Sequence, residues 1–135
     1  MSEQSLVLIK PDAVARGLIG TVLARYEAKG LTIRAMELRT VDAAVSDQHY
    51  AEHVERPFYP ELRDFITSGP LVALVLEGDR AIEAVRAING ATDGVVAAPG
   101  TIRGDLCLSK SENIVHASDS AESAAREIAI WFPNL

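Results

Sequence analysis

The chain has 135 residues, 48% of them hydrophobic and 24% charged, which is enough for one hydrophobic core and too apolar for an intrinsically disordered segment. Nineteen acidic against thirteen basic residues leave a net charge of -6, which opposes general binding to a nucleic-acid backbone unless the cations are gathered in one place. A single cysteine, Cys107, excludes an internal disulfide, Met1 to Lys10 carries no secretory pattern, and no apolar run approaches the roughly 20 residues that span a bilayer, so a cytoplasmic protein without a membrane partner is expected.

In chain order, Leu6 to Ile9 is a short, unbroken apolar run of the kind buried on both sides in the middle of a sheet. Leu18, Ile19, Val22, Leu23 and Tyr26 then recur on one helical face, with Gly30 as the stop. Leu31 to Thr40 alternates imperfectly and predicts an edge strand. Ala43 to Phe65 predicts one or two short helices, broken near Pro57 and resumed at Pro60. Leu71 to Leu76 is a second central strand, followed by a helix carrying Ala81, Ile82, Val85 and Ile88 and ending at Asn89-Gly90.

Thr101 to Leu108, alternating through Ile102, Leu106 and Leu108, predicts a second edge strand weakened by Gly104. The last helix opens with Asp119 and Glu122 at capping-box spacing and runs through Ala124, Ile128 and Trp131. This order doubles a split βαβ unit and predicts a single domain over residues 1–135. Its fold class is a ferredoxin-like α+β sandwich, with helices on one face of a four-stranded antiparallel sheet whose first and third strands are central. Topology of this kind identifies no activity by itself.

Neither of the two common phosphate-binding glycine loops is present, so a nucleotide site has to be built from side chains. His49-Tyr50-Ala51-Glu52-His53 matches the literal H-x-x-E-H of zinc peptidases, but no third ligand is evident and Pro57 cuts the helix short; two surface histidines are the simpler reading. Ser118 lacks the G-x-S-x-G elbow of a serine hydrolase. Taken alone, Ser118, Asp119 and Ser120 read as helix caps and His116 as an incidental loop residue. Arginine outnumbers lysine ten to three, and planar guanidinium forks suit phosphate oxygens. Arg56-Pro57-Phe58-Tyr59 puts aromatics at a helix break, either as a lip of the core or as a platform on which a base stacks.

Six ordered blocks carry a resemblance: Ile9-Lys10-Pro11-Asp12, His49-Tyr50, Arg56-Pro57-Phe58, Ser68-Gly69-Pro70, Pro99 to Asp105, and Asn113 to Ser120. From about Leu6 to Pro133 the chain resembles a nucleoside diphosphate kinase. The resemblance implies that His116 is the phosphorylated nucleophile, that Lys10, Arg86, Thr92, Arg103 and Asn113 contact phosphate and ribose, and that Phe58, with Leu62 beside it, clamps the base. It also implies that Tyr50, Ser118 and Glu127 surround and orient the histidine. Ala13, Gly94 and Ala117 depart from the family's pattern, where glycine, proline and glycine are usual.

The implied reaction passes the γ-phosphoryl group of a nucleoside triphosphate to a nucleoside diphosphate by a ping-pong route. Phosphoimidazole keeps the transfer potential that a serine ester would lose. A free imidazole, with a pKa of about 6.5, is mostly neutral and nucleophilic at pH 7 without a dedicated base. The expected cofactor is Mg2+, carried mainly by the nucleotide, and the expected assembly is a homo-oligomer, a hexamer before a tetramer or dimer. The rival is a non-catalytic ferredoxin-like module that binds a nucleotide as a regulator, but a pure binder has no need of His116 framed by Lys10, Arg103 and Glu127.

Overall fold

The computed structural model describes residues 2–135. Along the chain run β1 (Ser2–Ile9), α1 (Pro11–Ala15), α2 (Ile19–Lys29), β2 (Thr32–Arg39), α3 (Ala43–His49) and α4 (Tyr59–Ile66). After them come β3 (Leu71–Asp79), α5 (Ala81–Asn89), α6 (Ile102–Leu106), β4 (Val115–Ala117) and α7 (Ala121–Trp131). The strands form one antiparallel sheet in the order β2-β3-β1-β4, so the two apolar runs lie at its centre as their composition demands. The result is the expected α+β sandwich of ferredoxin-like type.

Three expectations need correction. Helices cover both faces of the sheet. Val7, Ile9, Val72, Leu74 and Leu76 pack on one side with Val22 and Tyr26 of α2, Val85 of α5 and Ile102 of α6. Leu6, Leu8, Ala73 and Val75 pack on the other with Tyr59 and Ile66 of α4 and Trp131 of α7. Unbroken apolar strands leave no polar face for water, and each fully buried Leu or Val adds roughly 1.5–3 kcal/mol only if something covers it.

Ile102–Leu106 is a helix, not an edge strand. Its two apolar residues stand four apart, which fits a helical turn as well as an alternation, and Thr101 decides the matter by accepting a hydrogen bond from Gly104 N–H as N-cap. The fourth strand is instead the three-residue β4, too short to show a period.

The N-cap of α7 is Ser120, whose Oγ accepts from Ser123 N–H, rather than Asp119. Among the sequence departures, Ala13 is fully buried on α1 and Ala117 lies in β4 opposite Val7, at a backbone conformation open to any residue. Gly94 is required by a close approach, because a Cβ there would stand 2.2 Å from the Cys107 carbonyl oxygen.

Candidate active site

Strand register places the central histidine. His116 of β4 pairs with Leu8 of β1, and cross-strand partners share a face, so the imidazole projects to the side occupied by α3 and α7. There it meets Glu127 of α7 and His49 at the end of α3. His116 Nε2 lies 3.1 Å from Glu127 Oε1, and the same oxygen accepts a 2.8 Å hydrogen bond from Ser118 Oγ. Ser118 is fully buried and its Oγ also accepts from Leu6 N–H at 3.1 Å, which ties the carboxylate's support to β1. With Nε2 committed to Glu127, the other ring nitrogen, Nδ1, has no partner among the described residues, and His116 lines an open cleft of about 580 Å³.

The same cleft is lined by cations. Lys10 follows β1, is buried, and donates from Nζ to Asn113 Oδ1 at 2.8 Å. Burial first, and then the neighbouring Arg103, lower its pKa from 10.5 to about 8. Arg103 of α6 donates to the backbone carbonyls of Asn113, Gly90 and Val115, so its guanidinium joins the end of α5, the segment before β4, and β4 itself. Asn113 is buried and its Nδ2 donates to Lys110 O at 2.8 Å and Thr92 O at 3.3 Å. Next to it Ile114 holds φ +74, a costly conformation for a β-branched residue. Lys10 N–H donates to its carbonyl at 2.8 Å and its own N–H donates to Asp12 Oδ2 at 3.1 Å, which pins the strained residue from both sides.

Of the residues singled out from sequence, Lys10, Tyr50, Arg86, Thr92, Arg103, Asn113, His116 and Glu127 line this one cleft. They come from segments up to 117 positions apart, and Ser118 lies behind Glu127. Arg86, on the exposed side of α5, has no side-chain hydrogen bond among the described residues, which leaves its guanidinium open to the cleft. Burial pushes the Tyr50 phenol far above its usual range, with Glu127 adding to the shift, so it is a neutral O–H. Phe58 and Leu62 do not line the cleft. Phe58 is 51% exposed at its lip, with its ring 5.6 Å from that of His53, a lining residue, and Leu62 packs against the second core.

Sequence reasoning missed His49, which is no surface residue but is 3% exposed. Its Nδ1 accepts from Trp131 Nε1–H at 3.0 Å and its ring lies 4.6 Å from that of His116. No local signal could have found it, because its partner is 82 residues away. Arg126 was missed as well; it lines the cleft and donates to the carbonyls of Gln48 and His49.

His49, His116 and Glu127 each offer a ligand atom within 4.8 Å of the others. Trp131 occupies one nitrogen of His49, and Lys10, Arg103 and Arg126 oppose a bare cation in the same cleft, so the trio is a poor metal centre and a good anion-facing one. The other carboxylates of the lining are Glu52 and Asp119, too few for a cage of hard oxygen ligands.

A half-buried imidazole with one nitrogen tied back to a carboxylate, facing a cleft of guanidinium and ammonium groups, has the chemistry of a phosphotransferase. A family model described as nucleoside diphosphate kinase matches residues 3–135. The chain is 72% identical to the nucleoside diphosphate kinase of a Nocardioides species over the whole of both chains. It is 63% identical to that of Cutibacterium acnes over 98% of this chain and 96% of that one. Among solved structures, a halophilic nucleoside diphosphate kinase from Halobacterium salinarum in complex with CDP superimposes with a TM-score of 0.96 at 44% identity, covering 99% of this chain and 90% of that one. A nucleoside diphosphate kinase family protein from Babesia bovis gives 0.93 at 48% identity, covering 96% and 88%. The chain belongs to the nucleoside diphosphate kinase family and is an enzyme of nucleotide phosphoryl transfer, an activity that uses a divalent metal ion brought by the nucleotide. None of the helices among the described residues is long and apolar enough to cross a membrane.

Proposed function

We propose that this chain, working as one catalytic domain in the cytoplasm, transfers the γ-phosphoryl group of a nucleoside triphosphate to a nucleoside diphosphate through phospho-His116. The observation that carries this is the 3.1 Å contact of His116 Nε2 with Glu127, which favours the proton on Nε2 and so the Nδ1 lone pair for the cleft. Nδ1 attacks the γ-phosphorus, and the bond from phosphorus to the β,γ-bridging oxygen breaks, with its electron pair leaving on the diphosphate. The imidazolium so formed keeps its Nε2 proton against the Glu127 carboxylate. In the second half-reaction a terminal oxygen of another nucleoside diphosphate attacks the same phosphorus and the ring's electron pair returns to Nδ1.

Little covalent chemistry is asked of the other residues; they hold charge and position. Lys10, Arg86 and Arg103 stabilise the equatorial oxygens of the moving group, Thr92 and Asn113 take phosphate and sugar hydroxyls, and Tyr50 offers its neutral O–H beside the ring. Phe58, exposed beside the lining residue His53 and backed by Leu62 one helical turn on, offers a face on which a base can stack whatever its identity, so purine and pyrimidine nucleotides are both substrates. Mg2+ would be held by the nucleotide's phosphates rather than by the chain, whose cleft carboxylates are few, and would supply charge neutralisation there.

A homo-oligomer is part of the reading. β2 is an edge strand with Met36 and Leu38 exposed, and Val95, Val96 and Leu108 form further exposed apolar surface, which together favour burial against copies of the chain. Light scattering should find more than one chain per particle.

Incubation with γ-labelled ATP should leave an acid-labile label that maps to His116 and is discharged by any nucleoside diphosphate. No label on the native chain, or full exchange activity in His116→Ala, would overturn the reading in favour of a binding module without turnover.

A further inference from the structure

His49 takes no part in the transfer described above, yet it lies against both His116 and Tyr50. Its ring is perpendicular to that of His116 at 4.6 Å, and its own ligand atom lies within 4.8 Å of those of His116 and Glu127. Tyr50 packs on it edge to face at 4.6 Å, and Arg126 holds its carbonyl. On its far side Trp131 Nε1–H donates to Nδ1 at 3.0 Å. An indole N–H donates and never accepts, so a neutral His49 in this bond must carry its proton on Nε2. Trp131 belongs to the core, not the cleft, and is itself clamped from outside by Arg39, which donates to its carbonyl at 3.0 Å and stacks 5.1 Å from its ring.

We infer that Trp131 and His49 form a positioning pair for His116: the indole fixes His49 as the uncharged Nε2–H tautomer, so that an N–H and no second positive charge stands beside the nucleophile. The alternatives would each harm the transfer. A lone pair on Nε2 would repel phosphoryl oxygens brought to His116, whose ring is 4.6 Å away, and a doubly protonated His49 would compete with His116 for Glu127. The groups around His49 all press the same way. Burial first, and then His116 on β4, Arg126 on α7, Lys10 after β1 and His53 in the turn after α3, disfavour a charge on it, while Glu127 is already shared by His116 and Ser118 and Tyr50 presents a neutral ring.

The inference rests on His116 as the phosphorylated residue, and the test separates the two. Nitrogen-resolved NMR of the histidine rings in the unphosphorylated full-length protein reads the tautomer and charge of His49 whatever His116 does. The native chain should show His49 neutral, with its proton on Nε2, through the working pH range. In Trp131→Phe, which keeps an aromatic ring and removes only the N–H, the Nδ1–H tautomer or the charged form should become populated. The rate of His116 labelling should then fall about fivefold, the weight of one misdirected hydrogen bond, with nucleotide KM nearly unchanged and a second step in the acid limb of the pH profile. Adding His49→Phe to that variant should remove the second acid step, since no imidazole remains to take up the wrong proton, without returning the full rate. A native His49 that carries its proton on Nδ1, or a second acid step in Trp131→Phe that persists when His49→Phe is added, would reduce the pair to core packing and overturn the inference. Failure of label to appear on native His116 would instead strike the catalytic reading.

Discussion

Glu127 and His116 meet at 3.1 Å through a carboxylate that is 5% exposed and whose same oxygen also accepts from Ser118. A buried acceptor with two donors is oriented twice over, and the imidazole inherits that orientation. In Glu127→Gln the amide oxygen is neutral and its NH2 has no acceptor in place of either donor. Labelling of His116 should fall about thirtyfold, the weight of one charge-assisted hydrogen bond, with little change in nucleotide affinity. Single-turnover labelling against nucleotide concentration separates the two.

Ser118→Ala tests the layer behind. It leaves the buried Leu6 N–H without its side-chain acceptor and Glu127 with one donor fewer. Denaturant unfolding should show a loss of about 1–3 kcal/mol, with a smaller fall in activity than in Glu127→Gln.

Lys10 gives two pH trends of opposite sign. Its pKa is lowered to about 8 by burial and then by Arg103, whereas in the unfolded chain it returns to 10.5. Between those values the unfolded state binds the extra proton, so the Lys10 contribution to folding stability is least favourable below pH 8 and improves as pH rises through the window, by about 3 kcal/mol at most. Over the same window the Lys10 ammonium in the cleft is lost, so, on the proposed role of Lys10, nucleotide affinity should fall. Lys10→Met should flatten both profiles, read by thermal unfolding and by equilibrium nucleotide binding from pH 7 to pH 10.

Gly104 lies where α6 passes under the preceding loop. A Cβ there would stand 2.0 Å from Ala98 O and 2.7 Å from Thr101 Oγ1, the oxygen that caps the helix. Gly104→Ala should cost about 1–3 kcal/mol in denaturant unfolding and, by displacing Arg103 beside it, weaken nucleotide binding as well.

Phe58 predicts the contrasting pattern. At 51% exposure, with one ring neighbour, it adds little to folding. Phe58→Ala should leave the unfolding midpoint nearly unchanged and raise nucleotide KM about fivefold or more, similarly for purine and pyrimidine substrates, because stacking is indifferent to the base's edge.

Much of this architecture is legible from local pattern. β1 and β3 announce themselves by apolar runs, α2 and α5 by their spacing and their glycine stops, and α4 by Pro60 in its first turn. β4 was not legible: three residues cannot display a period of two, and the strand exists because β1 has a free edge there. Ile102 to Leu106 misled because a five-residue segment satisfies both periods, and only the Thr101 cap breaks the tie. The cleft residues were legible through the resemblance, residue by residue; His49 and Arg126 were not, since their roles depend on carbonyls and rings contributed by other elements.

The residues alone therefore determined which strands lie inside, that the chain forms an α+β sandwich, and which side chains have the chemistry to handle phosphate, because periodicity, capping and functional-group identity are properties of short stretches. Tertiary structure alone decided that helices close both faces, that the nucleophile rides a three-residue edge strand opposite Leu8, and that one buried imidazole is held by a tryptophan from the far end of the chain. Those facts depend on register and on long-range contact, and a distance of 3 Å between residues 82 positions apart is written in no local pattern.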